Sequence, residues 1–285
     1  MRYIFISDVH GMYFKLIEAL DKAKFNKRKD TLICLGDMFD RGPHSREVLE
    51  YIMGLPHKIL VWGNHDRRLM DLVVKDRLPR DVDIFNGVGK TLDSFCGALN
   101  KMECQNVYQL YNKITQLKTD DRLKDTYDLL LEYFDNCVWG VEFQDLIGVH
   151  GWIPYVWDYP VSVYEYEKDW REASEEFWDA AVWHNPLKML SKDEHLKVGK
   201  KLLVGHIWSW LAAQKYGIKI VKNDKVVAPQ EIAKVREHHN VIFIDGAANW
   251  PEGDVLTYKY DTDVAPIILG GVLAMSTAYA CLGGI

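Results

Sequence analysis

Short apolar runs alternate with helical patterns through the opening of the chain, and few architectures accept that alternation. The runs are Tyr3-Ile4-Phe5-Ile6, Leu32-Ile33-Cys34-Leu35 and Ile59-Leu60-Val61-Trp62, and between them stand the helical stretches Phe14 to Ala23 and Arg46 to Met53. Strand and helix spaced in this way predict an α/β fold with parallel strands joined by right-handed crossovers. Such crossovers gather the residues just past each strand at one carboxyl edge of the sheet, where α/β proteins bind ligands. Asp8, Asp37 and Asn64 each hold that position.

Further along, the periodicity changes. From about Thr91 to Phe134 it is helical and rather polar, which predicts a helical insert over about 88–136 with no obvious chemistry of its own. Strand-like runs return at Cys137 to Phe143, Leu146 to Val149, Lys201 to Val204 and Val241 to Ile244, so a second sheet is expected to begin near residue 137. The aromatic, acidic stretch Tyr155 to Glu176 reads as a loop followed by a helix. A chain of 285 residues exceeds the commonest domain size, yet an α/β fold with an inserted subdomain reaches it around one core, so residues 1–263 are read as one domain. Val264 to Ile285 carries no charge and is long enough to span a bilayer. Pro266, the pairs Gly270-Gly271 and Gly283-Gly284, and the lack of flanking lysine or arginine favour a segment packed on the protein or a partner chain over a membrane anchor.

A net charge of -6 gives no basic stripe, which argues against general affinity for nucleic acid. Cys34, Cys96, Cys104, Cys137 and Cys281 are odd in number and form no close-spaced metal or redox pair. They suit a reducing compartment, and no basic, apolar leader precedes the first strand, so a cytoplasmic location is expected.

The chemistry concentrates where strands end. Asp8-Val9-His10-Gly11 comes first, then Gly36-Asp37-Met38-Phe39-Asp40-Arg41-Gly42, then Gly63-Asn64-His65-Asp66, and later His150-Gly151 and Gly205-His206. Singly, each has an ordinary explanation. Asp8, Asp37 and Asp66 could cap helices, Asn64 could turn the chain, and a lone histidine is usually packed and hydrogen-bonded. In this order, at strand ends and beside glycines, they form a set of carboxylate, amide and imidazole donors that suits borderline divalent metals better than calcium.

This ordered signature resembles that of the calcineurin-like metallophosphoesterases. Within them the chain looks most like the phosphoprotein phosphatase branch, which includes small bacterial and phage Ser/Thr phosphatases and the symmetrical dinucleoside tetraphosphatases. The resemblance is dense over residues 1–70, returns around 147–152, 202–208 and 241–250, and leaves the helical insert unmatched. It implies a β-sandwich flanked by helices and two divalent transition-metal ions, manganese first, with iron, zinc or nickel as alternatives. On the family pattern Asp8 and His10 bind the first metal, Asp37 bridges, and Asn64, His150 and His206 complete the second. A bridging hydroxide then attacks phosphorus in line, Arg41 clamps the phosphoryl oxygens, and His65, held by Asp40, protonates the leaving oxygen.

Some positions depart from that pattern. Trp62 stands where many relatives carry arginine, Asp66 replaces a more frequent glutamate, and the family's further substrate-binding arginine has no clear counterpart near Val182-Trp183-His184. Trp183 is therefore expected to pack, His184 is a weaker site candidate, and Asp245 is expected to support the ligands without being one. The leading expectation is a phosphoprotein Ser/Thr phosphatase acting on phosphomonoesters. A symmetrical dinucleoside tetraphosphatase or other phosphoanhydride hydrolase is the alternative. A non-catalytic scaffold would show substituted ligands, and every ligand position is intact.

Overall fold

A computed structural model describes residues 1–97, 103–154, 156–158, 163–165, 170–190, 199–209, 211, 235–238, 240–251 and 253–270. Its opening follows the sequence pattern closely: β1 (Arg2–Ile6), α1 (Tyr13–Lys22), β2 (Asp30–Cys34), α2 (Ser45–Met53), β3 (Lys58–Val61) and α3 (Asn64–Val73). Strands β1, β2 and β3 pair in parallel, with Ile4 beside Leu32 and Ile33 beside Ile59. Alternate side chains of a strand leave opposite faces. Ile4, Ile6, Leu32 and Cys34 accordingly join Leu16, Leu20, Val48 and Ile52 of α1 and α2. Tyr3, Phe5, Ile33, Leu35 and Val61 turn the other way, into the interface with a second sheet.

Helices occupy the stretch read as an insert and begin somewhat before it: α4 (Asp81–Phe85), α5 (Val88–Cys96), α6 (Val107–Thr119) and α7 (Lys124–Asp135). Asn106 starts α6 by accepting the Gln109 N–H on its side-chain oxygen at 3.0 Å. Residues 98–102, inside the predicted insert, lie outside the described part.

The second sheet starts later than the sequence suggests. The run Cys137 to Phe143 divides into β4 (Cys137–Val138), which pairs with β3 and extends the first sheet, and β5 (Gly140–Glu142), which belongs to the second. Trp139 marks the break, its N–H turning to the carbonyls of Leu269 and Gly270 at 2.9 and 3.0 Å. The chain continues through β6 (Leu146–Val149), β7 (Val156–Asp158), β8 (Val163–Glu165), α8 (Glu175–Ala181), α9 (Pro186–Leu190), β9 (Lys201–Trp208), β10 (Arg236–His238), β11 (Val241–Asp245), β12 (Tyr258–Asp261) and β13 (Ile267–Leu269). Strands β7 and β8 pair antiparallel within the stretch expected to be loop and helix; the helix there is α8.

The first sheet thus runs β12-β1-β2-β3-β4 and the second β10-β11-β9-β6-β5-β13. Between them Tyr3, Phe5 and Ile33 meet Val141, Phe143, Leu203 and Ile244, with Tyr3 and Phe143 edge to face at 4.9 Å. This is the two-sheet α/β sandwich with flanking helices that the sequence implied. Strand β13 lies in the uncharged carboxyl-terminal stretch and pairs with β5, while residues 271–285 lie outside the described part. Among the described residues no helix is long and apolar enough to cross a membrane.

Candidate metal centre and active site

His184 apart, the site residues read from the sequence lie near the carboxyl ends of strands, in the turns that follow or at the start of α3, and the fold brings them together. Asp8 and His10 follow β1, Asp37, Asp40 and Arg41 follow β2, and Asn64 and His65 open α3 after β3. His150 follows β6, and His206 lies within β9. The parallel pairings β1·β2·β3 and β6·β9 set these ends side by side.

Two convergent groups result. Ligand-capable atoms of His10, Asp37 and His65 lie within 4.8 Å of one another, as do those of Asp37, His150 and His206. Asp37 belongs to both. Its Oδ2 is 3.8 Å from His10 Nε2, and its Oδ1 is 3.4 Å from His150 Nε2 and accepts the His65 N–H at 2.9 Å. Asp8 joins from the side, with Oδ1 3.9 Å from His10 Nε2 and Oδ2 taking the Ser7 hydroxyl at 2.5 Å and the His206 N–H at 2.9 Å. Asn64 Oδ1 stands between two imidazoles, 2.9 Å from His150 Nε2 and 2.8 Å from His206 Nδ1.

The donor set fits cations. His150 Nδ1 donates to the Leu35 carbonyl at 2.7 Å and His10 Nδ1 to that of Phe39 at 2.9 Å. These bonds turn each Nε2, with its lone pair when the ring is neutral, toward carboxylate and amide oxygens that are also acceptors. Acceptors meeting acceptors in a buried space require either a proton or a metal ion between them.

The electrostatics follow from the same crowding. Burial lifts the Asp8 carboxyl above its ordinary range, with Asp37 adding to the rise and His150 opposing it. Burial would lift Asp37 too, yet His150 and His65 overcome it and hold Asp37 well below the usual range. Burial likewise disfavours charge on His150, but Asp37 and Asp8 outweigh it and push the ring up to about 10. His206 goes the other way, to about 3, through burial and the neighbouring His150. His10 is held well below its ordinary value by burial, Arg41 and His65.

Arg41 and the Asp40/His65 pair occupy one side. His65 Nδ1 is 2.7 Å from Asp40 Oδ2, while the Arg41 guanidinium reaches His10 Nε2 at 2.8 Å and His65 Nε2 at 3.0 Å. Burial opposes charge on His65, but Asp37 and Asp40 raise its pKa. Thr91 in α5 carries no local signal of a role at the site, yet its hydroxyl donates to Asp40 Oδ1 at 2.9 Å and accepts the Asp40 N–H at 2.8 Å. The helical segment therefore does touch the site.

Asp66 takes the plainer of its two readings. Its carboxylate accepts the N–H groups of Gly63 at 3.1 Å, Asp37 at 2.7 Å and Met38 at 3.3 Å, which caps α3 and ties it to the β2 turn. Burial beside Asp37 pushes it up to about 7. Burial, with the Asp8 charge adding to it, lifts Asp245 well above the ordinary range, and its Oδ1 accepts the Ala247 N–H at 2.8 Å. Trp62 packs against Phe134 at 5.8 Å and beneath the Arg67 guanidinium at 5.0 Å. Trp183 lies under Arg68 at 5.2 Å, and His184 is in neither metal-capable group of the described residues.

The backbone here is unusual. Asp8, His10, Asp37, Asp40, Arg41 and His206 have φ of 53°, 49°, 59°, 70°, 65° and 64°, in the left-handed region that side chains enter only at a cost. Gly205 is confined by close approach instead: a Cβ there would stand 1.9 Å from Ser7 Oγ and 2.3 Å from Asp8 Oδ2. Gly205→Ala is therefore expected to displace Asp8 and weaken Mn²⁺ binding roughly ten- to hundredfold, as loss of support behind a ligand does. Calorimetric titration of the metal-free chain measures this. An unchanged affinity would remove Asp8 from the metal-binding set.

Comparison with known proteins gives three results. Residues 1–221 match the family model described as calcineurin-like phosphoesterase. Among curated proteins, the symmetrical bis(5'-nucleosyl)-tetraphosphatase of Buchnera aphidicola (subsp. Acyrthosiphon pisum, strain Tuc7) is 33% identical over 114 residues, 40% of this chain and 41% of the relative. The enzyme of that description from Klebsiella pneumoniae is 48% identical over 66 residues, 23% of each. The chain thus matches about two fifths or less of the length of these relatives. Among solved structures, a cold-active protein tyrosine phosphatase has a TM-score of 0.48 at 17% identity, covering 95% of this chain and 79% of its own. A protein serine/threonine phosphatase from Saccharomyces cerevisiae has a TM-score of 0.42 at 12% identity, covering 93% and 82%. At that level the structural likenesses carry no functional argument.

Proposed function

The chain belongs to the calcineurin-like phosphoesterase family, a family of metal-dependent hydrolases, and from that premise we propose that it cleaves phosphoanhydrides of nucleotides, with dinucleoside tetraphosphates as the substrate class. What carries the hydrolytic part is the sharing of Asp37 between two convergent groups of donors, with the Arg41 guanidinium beside His10 and His65 of the first. Asp8, His10, Asp37, Asn64, His150 and His206 would hold two divalent ions. Bound there, the ions supply positive charge to the phosphoryl oxygens and make a nucleophile available at neutral pH.

The chain's own groups do the rest. Arg41 carries fixed planar donors into the space between His10 and His65, and by turning from those rings it presents them to phosphoryl oxygens. Asp40 accepts from His65 Nδ1, which fixes the ring and leaves Nε2 to deliver a proton to the departing oxygen. Thr91 holds Asp40 in place.

The nucleotide class is supported by the curated relatives, which are described as symmetrical bis(5'-nucleosyl)-tetraphosphatases. A second reading, a phosphoprotein Ser/Thr phosphatase, is favoured by the buried Asp40/His65 pair, because proton delivery matters most when the leaving group is an alkoxide. Parallel turnover of diadenosine tetraphosphate and a phosphoserine peptide by the Mn²⁺-loaded chain separates them. The nucleotide reading expects kcat/KM to favour the tetraphosphate by at least about tenfold and to reach the ordinary enzymatic range of roughly 10⁴ M⁻¹s⁻¹ or more. A preference for the peptide would reverse the assignment.

A further inference from the structure

Beside Arg41 the surface opens into a groove of about 330 Å³ whose lining includes Phe85, Lys90 and Asn249. Its size is that of a small-ligand site. Gly87 and Gly89 line it without side chains, and Gly87 packs so closely on Arg41, itself part of the lining, that a Cβ there would lie 2.4 Å from the Arg41 backbone nitrogen. The groove is therefore continuous with the phosphate-clamping residue.

Three features point to an occupant. Phe85 ends α4 and is 90% exposed, a large apolar residue with nothing stacked on its ring among the described residues. Asn249 lines the groove, and its Oδ1 lies buried just behind that surface as an acceptor with no hydrogen-bond partner among the described residues. Such a group costs free energy unless something donates to it. Lys90 adds a cation at the rim. An aromatic platform, one buried acceptor and a cation, in line with a phosphate clamp, match a flat heterocycle that has an N–H edge and is joined to phosphates. An extended peptide would ask instead for alternating donors and acceptors.

We infer that this groove is the subsite for the leaving nucleotide: the base stacks on Phe85, its N–H edge donates to Asn249 Oδ1, and its phosphates pass Lys90 on the way to Arg41. The inference rests on the nucleotide reading above and adds the residues that select the leaving group. Phe85, Lys90 and Asn249 lie outside the set proposed to bind metal, and the exposure of Phe85 makes its replacement mild for folding.

The test uses the full Mn²⁺-loaded chain, with ADP affinity by calorimetry and KM for diadenosine tetraphosphate as readouts. Phe85→Ala is expected to weaken ADP binding and raise KM roughly tenfold, as when one base loses its stacking partner, with Phe85→Trp restoring both. Asn249→Ala is expected to cost roughly fivefold, as loss of one neutral hydrogen bond does. If the wild-type chain cleaves the tetraphosphate while all these variants change Kd and KM by less than about twofold, the groove assignment falls and the nucleotide reading stands. If the wild-type chain neither cleaves it nor binds ADP, both fall. Variants that impair a phosphoserine peptide but not ADP binding would make the groove a peptide channel and overturn the inference.

Discussion

Asp37→Asn is expected to abolish metal occupancy and phosphate hydrolysis together while leaving the fold in place. Asp37 is the one residue common to both convergent groups, so its loss weakens both sites at once. The asparagine keeps an oxygen that can accept the His65 N–H, now at 2.9 Å, so the turn after β2 and the start of α3 need not move. What disappears is the buried negative charge that faces His10, His65 and His150. Metal analysis after reconstitution with Mn²⁺ should fall to background, and turnover of every phosphate substrate should drop by roughly three orders of magnitude or more, since the metals supply both charge and nucleophile. Circular dichroism controls for folding. Metal content near the wild-type level, with activity preserved, would remove Asp37 from its bridging role.

The second large effect is selective. His65→Asn should slow an alkyl phosphate by roughly two to four orders of magnitude and p-nitrophenyl phosphate far less, because an alkoxide needs a proton in the transition state and a nitrophenolate does not. Asp40→Asn should show the same pattern more mildly, since Asp40 acts only through His65. Metal content decides between two roles. His65 Nε2 is 4.0 Å from Asp37 Oδ2 and falls within one metal-capable group, so it could also act as a ligand. Equal losses on both substrates together with lost metal would make it one; unequal losses with metal retained identify the proton donor.

Much of this arrangement could be read from local sequence because its parts recur at strand ends. Four-residue apolar runs followed at once by Asp8, by Asp37 and by Asn64 locate the edge at which parallel strands deliver ligands. Features that depend on distant partners were harder to read. Trp139 divides one apolar run between two sheets through bonds to Leu269 and Gly270, more than a hundred residues away, and nothing local encodes those partners. Strands β7 and β8 are three residues each, too short for an alternation to be recognised. Thr91 looks like any helical threonine until the fold sets it against Asp40, 51 residues earlier. Asp66 shows the reverse: capping is the ordinary use of such an aspartate, and its carboxylate caps α3 from within the first turn by accepting the Gly63 N–H.

The left-handed backbone at Asp8, His10, Asp37, Asp40, Arg41 and His206 bears on whether this chemistry can be transplanted. Each such residue costs of order 1 kcal/mol or more and persists only because its surroundings fix it. Those surroundings are spread widely: the Asp8 N–H is held by the Gly36 carbonyl, the His10 N–H by that of Asp37, and the His206 N–H by the Asp8 carboxylate from the other sheet. A peptide carrying the first 70 residues, or the motifs grafted onto another sheet, would let these turns relax to ordinary conformations and scatter the donors. The site is thus a property of both sheets closed on each other, and its motifs are not portable parts.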